Sequence, residues 1–131
     1  MGLKGSGKTK KLVELVREAV ATANGDVVVI EKDKKLTFDI PYQARLVFAS
    51  DYSIGTVEFF KGLLSGLHAG NYDITHFFID DLNKILDDRS NEALEKFLVS
   101  LEQFSQRENT DFTITINADP EKASDALKKY F

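Results

Sequence analysis

The sequence predicts an α/β domain in three layers: a mostly parallel sheet with helices over both faces. Two observations carry that expectation. Short runs rich in β-branched and aromatic residues alternate with longer segments whose apolar residues recur at helical spacing. The central runs, Asp26-Val27-Val28-Val29-Ile30-Glu31 and Ile74-Thr75-His76-Phe77-Phe78-Ile79, are short and mostly apolar, as strands covered on both faces are.

From Thr9 to Ala23, apolar residues fall at Leu12, Val13, Val16, Ala19, Val20 and Ala23, which is one face of a helix. Asn24-Gly25 supplies its stop, because both residues tolerate a left-handed backbone. The strand Asp26–Glu31 follows. Lys32 to Lys35 is a charged turn, and Leu36-Thr37-Phe38-Asp39-Ile40 alternates like an edge strand that Pro41 limits. Arg45-Leu46-Val47-Phe48-Ala49 is another core strand. Ser53 or Thr56 is the expected cap of a helix running to about His68, with Val57, Phe60, Leu63, Leu64 and Leu67 inward and Gly70-Asn71 ending it. The strand Ile74–Ile79 delivers Asp80 and Asp81 at its carboxyl end. A second long helix starts near Ser90, with Glu92 in its first turn and a buried stripe of Leu94, Phe97, Leu98, Leu101 and Phe104. Phe112-Thr113-Ile114-Thr115-Ile116 is the last strand. Asp119-Pro120 caps a terminal helix ending near Tyr130.

The 131 residues fit one domain, 1–131, with a core of its own. A net charge of −4, from 17 basic and 21 acidic side chains, argues against a nucleic-acid partner. The chain has no cysteine, which excludes disulfides, thiolate chemistry and cysteine-ligated zinc and agrees with a cytoplasmic location. No segment reaches about 18 continuous apolar residues, so no membrane span is expected. The start also lacks the apolar stretch of a secretory signal.

The pattern G-x-x-x-x-G-K-[ST] is met in full by Gly2-Leu3-Lys4-Gly5-Ser6-Gly7-Lys8-Thr9, which opens directly into the first helix. Glycines let backbone N–H groups curl around a phosphate without Cβ atoms in the way, and the helix N-terminus adds partial positive charge. Gly2, Lys4, Gly5, Ser6, Gly7, Lys8 and Thr9 are therefore the expected contacts of a nucleoside triphosphate. Lys8 would reach the β- and γ-phosphates, and the Thr9 hydroxyl would join the shell of Mg²⁺. The alternatives are a glycine-rich turn before a basic helix, or a myristoylation signal on Gly2 with Ser6 in register; the phosphate motif is the stricter match.

Phe77-Phe78-Ile79-Asp80-Asp81 is an apolar strand ending in two carboxylates, which resembles a Walker B motif. It assigns Asp80 to Mg²⁺, usually through water, and makes Asp81 a candidate to polarise an attacking water. Many ATPases of this layout place a glutamate there, and aspartate is one methylene shorter. Asn117, after the last strand, is the candidate sensor of the γ-phosphate. Arg89 reads first as a solvated loop arginine, with an arginine finger toward a neighbouring subunit as the alternative. His68 and His76 have no metal-ligand spacing, and His76 is expected to face a polar neighbour.

Together, Lys4-Gly5-Ser6-Gly7-Lys8-Thr9-Lys10, Ile30-Glu31-Lys32, Lys35-Leu36-Thr37-Phe38-Asp39-Ile40 and Ala69-Gly70-Asn71-Tyr72-Asp73-Ile74 resemble a group of short bacterial single-domain P-loop NTPases, often labelled ATP-binding or twitching-motility-like. The resemblance implies a P-loop NTPase-like fold, ATP with Mg²⁺ as ligand, and either weak ATPase activity or a nucleotide-dependent switch; a non-hydrolysing scaffold that retains the loop is the alternative. A protein partner or a second copy of the chain is the expected source of an activating arginine. Relatives carry an apolar strand before the loop, where here only Met1 precedes Gly2. The expected fold is accordingly truncated before the loop, and the Phe112–Ile116 strand is the one expected to be left unpaired, with the loop lacking its upstream tether.

Overall fold

A computed structural model describes residues 8–22, 25–32, 39–41, 43–49, 57–86 and 91–115. Their elements run in the order α1 (Lys8–Thr22), β1 (Asp26–Glu31), β2 (Arg45–Phe48), α2 (Val57–Gly70), β3 (Ile74–Ile79), α3 (Leu82–Ile85), α4 (Asn91–Glu108) and β4 (Asp111–Ile114). The four strands form one sheet in the order β2-β1-β3-β4, and every pairing is parallel. The α/β class and the parallel sheet expected from the sequence are both present, but the strand expected to be unpaired, here β4, pairs with β3 from His76–Asp111 to Ile79–Ile114.

The alternation of side chains along each strand divides the core into two layers. Val28, Ile30, Phe77, Ile79 and Ile114 face α2 and α4, where they meet Phe60, Leu64, Leu94, Phe97, Leu98 and Leu101. Val27, Val29 and Phe78 face the other way and meet Leu12, Val13 and Val16 of α1. Helices therefore cover both faces. The rings of Phe60 and Phe97 lie 5.0 Å apart and tie α2 to α4. The expected stripe of α4 is buried throughout, from Leu94 to Phe104.

Helix ends carry local chemistry that apolar spacing does not show. Helix α4 runs on to Glu108 and stops at Asn109, whose φ of 52° is left-handed. The Thr110 N–H then closes back onto the Ser105 carbonyl at 3.2 Å, a Schellman-type end. Helix α2 ends at Gly70, where Gly70-Asn71 was expected to stop it, and His68 in its last turn is buried. There its ring meets Tyr72 and Phe104 edge-on. The expected caps Ser53 and Thr56, the Ser90 start, and the terminal helix from Asp119 all lie outside the described residues.

The structure departs from the sequence reading in three further places. Asp39 and Ile40, the described end of the anticipated edge strand Leu36–Ile40, form a turn and a bend. The reason is local: Pro41 opens a turn closed by the Ala44 N–H onto the Pro41 carbonyl at 3.0 Å, and Ile40 plugs the core layer beneath α1. The short helix α3 was not signalled, because four residues are too few to show a period; Leu82, Ile85 and Leu86 nonetheless insert into the α2–α4 layer. Gly25 is not in a left-handed conformation. Glycine is required there because the Asp26 N–H reaches the Asp73 carbonyl at 2.7 Å, and a Cβ on Gly25 would overlap that carbonyl and stand 2.6 Å from Thr75 Cγ2.

Substitution of Gly25 by Ala is therefore expected to lower the unfolding free energy by about 1–3 kcal/mol, as overpacking does. Gly62, exposed in α2 with open space where its Cβ would be, is the contrasting site. Gly62→Ala is expected to raise stability by up to about 1 kcal/mol through helix propensity. Urea midpoints of the two variants should move in opposite directions.

Candidate functional site

The carboxyl ends of β1, β3 and β4 lie side by side. Ile30 pairs with Ile79 and Ile79 with Ile114, so the next residues, Glu31, Asp80 and Thr115, fall in one row across three strands. The Asp80 N–H donates to the Ile30 carbonyl at 2.9 Å and the Thr115 N–H to the Ile79 carbonyl at 3.0 Å, which carries the ladder into that row. Because side chains alternate, Glu31 shares the face of Val27 and Val29, and Asp80 that of Phe78. That face is the one α1 covers.

The row is held by Thr115. The Asp81 N–H donates to Thr115 Oγ1 at 2.6 Å, and Thr115 Oγ1 lies 2.9 Å from Asp80 Oδ1. An amide can only donate, so the hydroxyl accepts from Asp81 and gives its own proton to the Asp80 carboxylate. The Leu82 N–H reaches the Thr115 carbonyl at 3.0 Å, so the residue just past β4 receives two consecutive amides of the turn after β3. The turn bends at Asp81, whose φ of 53° and ψ of 65° place a non-glycine residue in the left-handed region. Aspartate tolerates this better than most residues, at a cost that surrounding contacts must offset. Leu82, fully buried, anchors the far side of the turn.

The Asp81 carboxylate points two ways. Oδ2 lies 3.4 Å from Lys84 Nζ, one turn along α3, while Oδ1 is buried with no hydrogen-bond partner among the described residues. Lys32, just past β1, donates from Nζ to the Lys84 carbonyl at 3.0 Å and ties the end of β1 to α3. Glu31 itself is buried.

Lys8 and Thr9 are described through their backbone, which opens α1; Gly2, Lys4, Gly5, Ser6, Gly7, Arg89 and Asn117 lie outside the described residues. The topology still fixes where α1 begins. The link from Thr22 to Asp26 is short, so α1 turns back and runs antiparallel to the strand it covers. Its 15 residues span about 22 Å, and the six of β1 about 20 Å. The N-terminus of α1 therefore sits at the carboxyl edge, over the face that carries Glu31 and Asp80.

Thr115 and Glu31 are the site residues that sequence reasoning missed. The sequence put a polar sensor at Asn117, which lies outside the described residues; the register places Thr115 beside Asp80. His76 meets a polar neighbour as expected, with Nε2 2.8 Å from Thr113 Oγ1 and its ring stacked on Phe78. Burial lowers its pKa below 6.5, against an opposing pull from Asp111. Among the described residues no group of three or more His, Cys, Asp or Glu forms a dedicated metal cage, and no helix is long and apolar enough to cross a membrane. No protein-family model matches the chain, and no curated protein matches it.

Two outcomes follow from these geometries. Asp81→Gly and Asp81→Ala both remove the carboxylate but differ in tolerance of a left-handed backbone, so the alanine variant should be less stable by about 1 kcal/mol in chemical denaturation. The depressed His76 pKa means that, below 6.5, the unfolded chain takes up a proton that the folded chain resists. Stability contributed at neutral pH is thus lost as pH falls from 6.5 through the folded pKa. The His76→Gln variant should show a flatter loss of stability between about pH 7 and 5.

Proposed function

We propose that this protein is a nucleoside-triphosphate-binding domain that uses Mg²⁺, acting as a weak ATPase or a nucleotide-dependent switch. The observation that supports this best is a convergence. The helix opened by Lys8 and Thr9 of the G-x-x-x-x-G-K-T sequence starts at the carboxyl edge of the sheet, over the face on which Thr115 holds Asp80. Phosphate-binding loops and strand-end carboxylates act together when they share that edge.

The residues fit the implied cation. Mg²⁺ is usually held by one or two protein oxygens with water and substrate phosphates rather than by a full protein cage. Asp80, its carboxylate oriented by the Thr115 hydroxyl, and Thr9 at the head of α1 would hold it. When bound, the ion would neutralise charge on the phosphates. The Gly2–Gly7 backbone and the α1 N-terminus would bind the phosphates, and Lys8 would take up charge developing on the γ-phosphate. Asn117 would contact that phosphate. A protein partner or second copy would supply an arginine, and Arg89 is the residue proposed for that role. This reading carries with it the resemblance to short P-loop NTPases and a cytoplasmic setting.

One observation favours binding without hydrolysis, the scaffold reading. The Asp81 carboxylate is drawn to Lys84 through one oxygen and turned into the protein through the other. A carboxylate so placed is poorly oriented to polarise water.

Titration with a fluorescent ATP analogue should show Mg²⁺-dependent binding that weakens about tenfold or more in Lys8→Ala; equal affinity in the two proteins would sink the reading. Phosphate release should fall roughly a hundredfold in Asp80→Asn, the scale of losing a charge-stabilising group. Tight binding with no release above background would select the scaffold.

A further inference from the structure

We propose that Thr115 is the positioning residue of this site: its single hydroxyl orients the Asp80 carboxylate and fixes the backbone at Asp81, so that the divalent cation is engaged through β4. The inference rests on the nucleotide reading and deepens it by assigning the cation response to one side chain.

Three features make Thr115 a control point rather than an ordinary strand residue. Its proton has one destination. With the Asp81 amide donating into Oγ1, the Asp80 carboxylate is the acceptor that receives it, so the hydroxyl has a unique orientation. Its side chain is β-branched and 6% exposed, which holds χ1 in one well and shields the bonds from water. Its backbone is committed in both directions, to Ile79 through N–H and to Leu82 through the carbonyl. Asp80, Asp81 and the first residue of α3 therefore move as one unit with the end of β4. Partners that orient a metal-binding carboxylate typically change metal affinity about 10–100-fold when removed.

Valine matches threonine in shape and strand preference but has no hydroxyl. Serine keeps the hydroxyl and loses the methyl. The readout is the ratio of affinities for a fluorescent ATP analogue in Mg²⁺ and in EDTA. Affinity in EDTA reports the phosphate loop alone, whereas the ratio reports the cation. Thr115→Val should keep its EDTA affinity within about threefold of wild type, while its Mg²⁺ enhancement falls about tenfold or more. Thr115→Ser should restore most of the enhancement. Circular dichroism and thermal melting establish that each variant is folded.

A purely structural role would lower both affinities together, and would leave the ratio unchanged; that result overturns the inference. Equal enhancement in Thr115→Val and wild type also overturns it, as does a serine variant as impaired as the valine one. Wild-type binding that is equal in Mg²⁺ and EDTA removes the inference while leaving nucleotide binding in place. Absence of any nucleotide binding by the wild type overturns the functional reading and this inference with it.

Discussion

The register between β3 and β4 is the constraint on which the rest of this edge depends. Pairing of Ile79 with Ile114 brings Thr115 level with Asp80. A slip of one residue would put an isoleucine in its place and turn the threonine to the opposite face. The hydrogen bonds at the edge are too weak to set that register, since each contributes about 1 kcal/mol net. The core sets it. Phe77, Ile79 and Ile114 lie on the face packed by α4, and exposing any one of them costs roughly 1.5–3 kcal/mol. Apolar packing on one face thus determines which polar atoms meet on the other.

That division explains the conformation of Asp81. A left-handed aspartate is locally unfavourable, but stronger interactions fix the chain on either side of it. Ile79 is locked in the sheet before it, and Leu82 is locked in the core after it. The two-residue turn must connect them, and donation of successive amides to Thr115 stabilises the bend that does so. Strain of this kind collects where side chains are aimed for a purpose, because a relaxed turn would send the carboxylates elsewhere.

The sequence made legible whatever depends on period and on strand ends. The run Val27–Ile30, the α4 stripe from Leu94 to Phe104 and the Asp80-Asp81 exit all follow from local pattern, and they stand where the pattern puts them. Patterns fail where the cause lies across the fold. The alternation of Leu36–Ile40 suggested a strand, yet at its described end Ile40 fills a gap under α1 and Pro41 starts a turn. Gly25 is glycine because the carbonyl of Asp73, far along the chain, occupies the space of its Cβ. Thr113, Thr115 and Asn117 share one parity, so alternation alone allows any of them to address Asp80. Only the pairing partner distinguishes them, and pairing is not written in the strand itself.

The charge at this edge bears on what kind of ligand it can take. Glu31, Asp80 and Asp81 lie on neighbouring strand ends or the turn that follows, and Lys84 and Lys32 are drawn toward α3 by Asp81 and by the Lys84 carbonyl. A bare polyphosphate brought close to Asp80 would be repelled by its carboxylate. At a separation of about 4 Å and an effective dielectric near 20, two like unit charges repel by roughly 4 kcal/mol. On the proposed reading, the phosphate loop and Lys8 would offset part of that repulsion, and a divalent cation between Asp80 and the phosphates would reverse its sign. The cation would therefore strengthen binding at this edge beyond what the phosphate loop supplies alone. On that reading, orientation of the Asp80 carboxylate by the Thr115 hydroxyl bears on affinity as well as on catalysis.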